Sequence, residues 1–410
     1  MLCRELQKYY EIRIAKHPAY KHFIDQEGYG TFECEGFDSA EVIEKVRRFD
    51  FSWLNSELPE HIYKEQVRAI ETYRPVAVLG DNSPTLKMAA EKTGVLFLSL
   101  MNGYMSKYYA GHRAISRYHP AYRLISWMPE KIKIQATTWG EKKAFKKLHA
   151  SFSKIRRKEN LKPLSSYLDE LEGDLTMICD LPELFPQQQL PDNYCFVGPL
   201  FYDNGEVSTQ NCPAAESEEK NILVLMGSSG DWQHAHFLND PYYSKFNVTA
   251  IGDHKRTLSA SHISHIPFAH VHERFPGADL IICHGGNGTI YQALLYKVPL
   301  LALTTHCEQE WNIRALEKQH LGFCLDGITD KLTLRSTVEA AIAARRQKTS
   351  EEISKAIRQS INALSGQIDK IAAIIDKRQP RFSKGEKKGS GVLHETGAYS
   401  KKSTLPVYTS

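Results

Sequence analysis

In the segment ADLIICHGGNGTIYQALLYKVPLLAL an apolar run ends in His284, Gly285, Gly286, Asn287, Gly288 and Thr289, and helix-forming residues follow. Residues of these types, in this order, suit anion binding. Glycine lets the backbone approach a ligand closely, and the free N–H groups at a helix start present the positive end of its dipole to a phosphate. The turn has neither the GKS or GKT of a P-loop nor the GxGxxG of a dinucleotide fingerprint. On its own it fits a phosphate cradle or simply a tight connection. The neighbouring residues favour the cradle. Gln292 lies one turn beyond Thr289 on the same helix face. The run PLLALTT leads directly into HCEQEWN, which supplies His306, Glu308, Gln309 and Asn312, and Ser228 and Ser229 follow NILVLMG. A carboxylate next to an amide is suited to holding sugar hydroxyls.

These loops need a scaffold that brings strand ends together. Apolar, β-branched runs recur between helical patterns: EIRIAKH, TFECEG, PVAVLGD, VLFLSLM and LTMICD, then NILVLMG, VTAIG, ADLIICHGG and PLLALTT. Strands apolar on both faces and separated by helices describe parallel sheets covered on both sides. The expected class is α/β, with two doubly wound, Rossmann-like domains facing across a cleft, where ligands bind at the carboxyl ends of the strands. Residues 1–200 form the first domain and 201–380 the second; a Pro-, Gly- and Ser-rich linker lies near 200–218, and 381–410 reads as a disordered tail.

Composition narrows the function classes. The chain has 410 residues, 42% hydrophobic and 24% charged, which suits globular domains with real cores. Lys plus Arg exceed Asp plus Glu by 52 − 48 = 4, too little for the basic field of a nucleic-acid binder. The eight cysteines are scattered without a CxxC pair, a usage expected in a reducing cytoplasm. No apolar run approaches the ~20 residues needed to span a bilayer.

HGGNGTIYQAL, together with EQEWNIRALEKQHLGFCL, resembles the donor-binding half of inverting GT-B glycosyltransferases of the UDP-glycosyltransferase superfamily, which includes bacterial antibiotic and macrolide glycosyltransferases. The resemblance implies transfer of a sugar from a nucleoside diphosphate donor, most simply a UDP-sugar, to a hydroxyl of a small molecule or lipid. It implies that His284, Gly286, Asn287, Gly288 and Thr289, helped by Ser228 and Ser229, hold the diphosphate. Gln292 would bind the ribose where many relatives use Glu, Glu308 and Gln309 would bind the donor sugar, and the backbone near Phe268 to His270 would face the base. The chain contains no Asp-x-Asp triplet, so the resemblance implies no metal and no cofactor beyond the sugar nucleotide substrate. In the family a His after the first strand is often the general base, oriented by an Asp, and Asp81 in VLGDNSP matches that Asp.

One departure matters. MLCRELQKYYEIRIAKHPAY starts inside what reads as the first helix, so the first domain lacks its first strand, which is central in a doubly wound sheet. Either that strand is lost or another segment fills its place. The alternative function is therefore a catalytically impaired nucleotide-sugar-binding subunit that needs a partner for the missing element. The basic, apolar-striped stretch 142–158 reads as a helix packed on the first domain or as a peripheral contact with the inner face of a membrane. The histidines of HISHIPFAHVH have no zinc spacing and carry no metal assignment.

Overall fold

The computed structural model describes residues 1–18, 21–201, 219–253, 256–267, 269–344, 348–378 and 403–409. The strands expected from the apolar runs form: β1 (Glu11–Ala15), β2 (Gly30–Phe32), β3 (Ala77–Asp81), β4 (Leu96–Met101) and β5 (Leu175–Ile178) in the first half. Next comes β6 (Tyr194–Phe196), which the sequence reading had placed in the stretch leading to the linker. The second half adds β7 (Asn221–Leu225), β8 (Asn247–Ile251), β9 (Ile263–Ile266), β10 (Leu280–Cys283), β11 (Leu300–Ala302) and β12 (Gly322–Cys324). A last strand, β13 (Thr404–Thr409), lies near the end of the chain. All pairings between these strands are parallel.

Each sheet is covered on both faces, as the two-sided apolar runs require. In the first sheet Leu79, Leu98 and Met177 pack on one face, and their strand neighbours Val78 and Phe97 pack on the other. In the second, Leu223, Ile281 and Leu300 face one core, and Ile222, Ile282 and Leu301 the other. The second sheet runs β12-β11-β10-β7-β8-β9. The strand order reverses between β7 and β10, with β8 and β9 laid down on one side and β11 and β12 on the other, so the loops after β7 and β10 splay apart and open a crevice.

The first sheet corrects two expectations. Its order is β2-β1-β13-β3-β4-β5-β6. The central place of the missing first strand is taken by β13, with Glu11 opposite Thr404 on one side and Asp81 opposite Thr409 on the other. Counted with β13 first, the order begins 3-2-1-4, the doubly wound order, and its reversal point lies between β13 and β3. The end of the chain is therefore not wholly a disordered tail; residues 379–402 lie outside the described residues. The physical reason is burial. Leu405 and Val407 join the core beneath the sheet, while Tyr408 packs edge-on against Phe32 above it, with ring centroids 5.1 Å apart.

Helix Lys348–Lys377 crosses between the halves. Ile353 and Ile357 pack in the second-domain core, whereas Leu364, Ile368, Ile371 and Ile375 pack under the first sheet beside Leu6 and Leu405. Of the linker expected near 200–218, residues 202–218 lie outside the described residues.

The stretch 142–158 is not one helix but the end of Glu130–Leu148 and the whole of Ala150–Lys158. Its second part is built into the core. Phe152 and Ile155 are buried, and so is Arg156, which donates from Nε and Nη2 to Glu170 at 2.6 and 2.7 Å. Exposed apolar side chains occur instead just upstream, at Leu124, Trp127, Ile132 and Trp139.

Candidate active site

The glycine turn sits at the end of β10 and feeds helix Asn287–Leu295, with Gly286 at the helix cap. Gly285 has φ +88°, a conformation that L side chains rarely adopt. The ring of His284 lies across the turn so closely that a Cβ on Gly286 would fall 2.4 Å from its Nε2, and one on Gly227 would fall 2.6 Å from its Cε1. The two loops at the crevice thus interlock through glycine. Gly288 is different, since a Cβ there meets nothing nearer than Phe201 at 4.0 Å.

A cavity of about 300 Å³ opens where these loops face the first domain. It is lined by Ser228, Ser229, Gly286, Asn287, His306, Glu308, Gln309 and Asn312 from the second domain, and by Asn102, Tyr104 and the apolar face Val42, Ile43 and Val46 from the first. Most of the sequence-derived site is therefore assembled around one volume. His284 is buried at its back. Thr289 and Gln292 follow along the helix and do not line the cavity, although Gln292 is buried with its Oε1 unpartnered. Phe268 lies outside the described residues.

The polar groups divide into fixed and free. Gln309 accepts at Oε1 from the Thr305 N–H at 2.7 Å and donates from Nε2 to Ser229 Oγ at 3.1 Å, so it ties the β11 loop to the β7 loop. Asn312 donates to the Gly285 carbonyl at 3.1 Å and supports the glycine turn. Glu308 accepts from the Tyr104 hydroxyl at 3.1 Å, a contact between the two domains. Burial raises the Glu308 carboxyl above its usual range, and the Tyr104 hydrogen bond opposes that rise. Burial lowers His284 to about 4; burial, then His284 and Arg47, does the same for His306, so neither ring is charged near neutral pH. The cradle consists of neutral donors.

Asp81 terminates β3 beside the reversal point of the first sheet. Burial, with a contribution from the Glu308 carboxylate, lifts its pKa to about 6. A carboxylate of this kind is a stronger base than an ordinary one and is still ionised at pH 7.

Other residues of the site were not anticipated. Asp180, two residues past the end of β5, accepts from the Gly103 N–H at 2.6 Å, the Tyr291 hydroxyl at 2.9 Å and the Asn287 amide at 3.3 Å. It is fully buried, and burial lifts it to about 6 against those hydrogen bonds. Asp180 thereby pins the helix that begins at Asn287 to the first domain. A second latch joins the domains where Arg117 donates to Glu310 at 2.9 Å and Trp311 donates to the Ala114 carbonyl at 2.9 Å. The only sequence signal for Asp180 was an acidic residue closing the run LTMICD. Among the described residues no group of three or more His, Cys, Asp or Glu side chains is placed to hold a metal ion.

Residues 206–374 match the glycosyltransferase family 28 C-terminal domain. Over 361 residues the chain is 24% identical to a PGL/p-HBAD biosynthesis glycosyltransferase of Mycobacterium tuberculosis, covering 82% of this chain and 78% of that protein. It is 23% identical over 280 residues to a PGL/p-HBAD biosynthesis rhamnosyltransferase of Mycobacterium bovis, covering 63% and 58% of the two chains. The fold superimposes on the calicheamicin glycosyltransferase CalG4 with a TM-score of 0.61 at 15% identity, covering 91% of this chain and 92% of that one. Glycosyltransferase VinC in complex with DTDP gives 0.60 at 15% identity, covering 92% and 95%. Two parallel-sheet α/β domains give the chain the fold of the GT-B glycosyltransferases. The chain is a glycosyltransferase, and its residues 206–374 match the family 28 C-terminal domain.

Proposed function

We propose that the chain transfers a sugar, with inversion and without a metal, from a pyrimidine nucleoside diphosphate donor to a hydroxyl of an apolar acceptor. The observation that carries this reading is the single cavity in which the glycine turn, Glu308 and the end of the first sheet converge. In this reading the diphosphate lies against the N-terminus of helix Asn287–Leu295, with Ser228, Ser229 and Thr289 near it. Glu308 meets the sugar hydroxyls, and Gln292, buried one turn along the helix outside the cavity lining, is assigned no contact with the donor. Gln309 serves mainly to hold the two loops, with one amide hydrogen left for the sugar. The acceptor oxygen attacks the anomeric carbon as its proton passes to Asp81 and the diphosphate leaves. Fixed N–H groups stabilise the charge that grows on the leaving phosphate, an effect of roughly 3 kcal/mol for a well-placed donor.

UDP is the expected nucleotide. Thymidine diphosphate is its competitor, because VinC was solved in complex with DTDP. β13 supplies from the same chain the strand that the alternative reading, a catalytically impaired subunit, would borrow from a partner.

The acceptor side supports a lipid or lipid-borne hydroxyl. Trp127 and Trp139 are 75% and 62% exposed and share one segment with exposed Leu124 and Ile132. Exposed Lys131, Lys142, Lys143, Lys146 and Lys147 flank them, and the Lys143 ammonium sits 3.6 Å over the Trp139 ring. Exposed indoles beside lysines suit the interface of an anionic membrane. No helix among the described residues is long and apolar enough to cross one. The test is calorimetric titration with UDP and with thymidine diphosphate in metal-free buffer, followed by transfer assays on anionic vesicles carrying an apolar alcohol. Binding of neither nucleotide to the folded chain would overturn the donor assignment.

A further inference from the structure

The cradle lacks a fixed positive charge. No lysine or arginine is among the described residues lining the cavity, and both of its histidines are neutral. A nucleoside diphosphate brings two or three negative charges into this space and gains more as the sugar departs. In a partly desolvated cleft that charge requires a counter-charge as well as N–H donors.

One arginine reaches the cradle from the other domain. Helix Ser39–Arg47 lines the cavity with Val42, Ile43 and Val46, and its last residue is Arg47. The Arg47 guanidinium extends across the cleft, where Nη2 donates to the Ser229 carbonyl at 2.9 Å and to the Gly230 carbonyl at 3.1 Å. Its Nε is buried without a hydrogen-bond partner. Its nearest carboxylate, Glu44, is 3.7 Å away and half exposed, a weak competitor for the cation. Backbone carbonyls at the rim of an anion site are poor final partners for a guanidinium, which pairs most strongly with phosphate oxygens in a two-pronged contact.

We propose that Arg47 is the donor-site cation, delivered from the acceptor domain to the diphosphate held by the β7 and β10 loops. This deepens the nucleotide-sugar reading and rests on it. The carbonyls of Ser229 and Gly230 hold the side chain in place; a bound diphosphate engages the unpartnered Nε and takes Nη1 from its long contact with Glu44. Because the arginine belongs to the opposite domain, donor binding and closure of the cleft become one event, and the positive charge arrives only when both halves are in register.

The experiment is titration of UDP, UMP and uridine, and of the thymidine series, into the full chain and its R47Q and R47K variants. Arg47 should act on the second phosphate. R47Q is expected to lower diphosphate affinity by about tenfold to a hundredfold, the range for removing a charge-assisted contact, while monophosphate affinity changes by less than about threefold. R47K should recover part of the loss. Equal losses for diphosphate and monophosphate would make Arg47 only a brace for the 229–230 loop and overturn the proposal. Unchanged diphosphate binding by R47Q would also overturn it. Should R47Q fail to fold, the diphosphate-to-monophosphate ratio of R47K decides, and a ratio equal to the wild type refutes the proposal. If the wild-type chain binds neither diphosphate, the nucleotide-sugar reading itself falls, an outcome distinct from failure of Arg47 alone.

Discussion

The two halves of the molecule build their share of the site in opposite ways. The second domain presents contiguous segments: residues 284–289 form one turn, and 306–312 follow one strand directly. The first domain brings residues of separate elements to the cleft, Asn102 and Tyr104 in the cavity wall and Arg47 and Asp180 in contact with the second domain, on a sheet whose central strand comes from the far end of the chain. A phosphate site can be made by local backbone geometry, because its ligands are consecutive N–H groups. An acceptor and base site has no such shortcut and depends on how strands are ordered.

That contrast can be broken most severely at β13. Deleting residues 403–409 should unfold the first domain, since Leu405, Val407 and Tyr408 are buried and each contributes roughly 2 kcal/mol, before the loss of two ladders of hydrogen bonds is counted. Scanning calorimetry and limited proteolysis would show a protected second domain and a digested first. A single transition at the wild-type temperature would mean that the first sheet does not need this strand.

A smaller but still large effect is expected in the second domain. Gly286→Val places carbon where His284 already lies and should reduce diphosphate affinity by more than about a hundredfold, whereas Gly288→Ala, with space around it, should change it little. Equal effects at the two positions would disprove the packed turn.

Next in size is Asp81→Asn, expected to slow transfer by about 10²- to 10⁴-fold with nucleotide affinity unchanged. The wild-type rate should rise with pH through about 6, because transfer needs the carboxylate and the folded-state pKa is raised to that value. Burial keeps His284 and His306 neutral over that window, so titration of these two rings should add no pH dependence to diphosphate binding from pH 6 to 8. Folding stability linked to Asp81 runs the other way. A raised carboxyl favours the folded state below its unfolded pKa and loses that contribution as pH climbs through 6.

The smallest effect is at Glu308→Gln. Affinity for the free diphosphate should hold, while preference among donor sugars falls by roughly tenfold, the scale of one hydrogen bond to a charged group. Equal losses for both ligands would move Glu308 away from the sugar.

Much of this was legible because it is local. Strands apolar on both faces gave themselves away by their composition, and the strand-turn-helix around His284 by its glycines. The strand at 404–409 was missed for a physical reason. TLPVYT is short, follows a Lys-, Gly- and Ser-rich stretch, and carries Pro406, which has no N–H for a ladder and ordinarily argues against a central strand. The basic run at 142–158 misled in the opposite sense. Arg156 reads as a surface charge but is buried because Glu170 and Glu91 meet it in the core.

The sequence alone therefore determined the α/β class and the glycine turn between strand and helix, since both follow from short-range periodicity and from the φ angles open to glycine. Only the tertiary structure decided which segment fills the centre of the first sheet, that burial raises the carboxyls of Asp81 and Asp180, and which arginine reaches the second domain's loops. Those outcomes depend on competition for a slot and on burial between residues far apart in the chain. The entropy cost of closing such long loops grows only slowly with their length, so sequence distance does little to limit the choice.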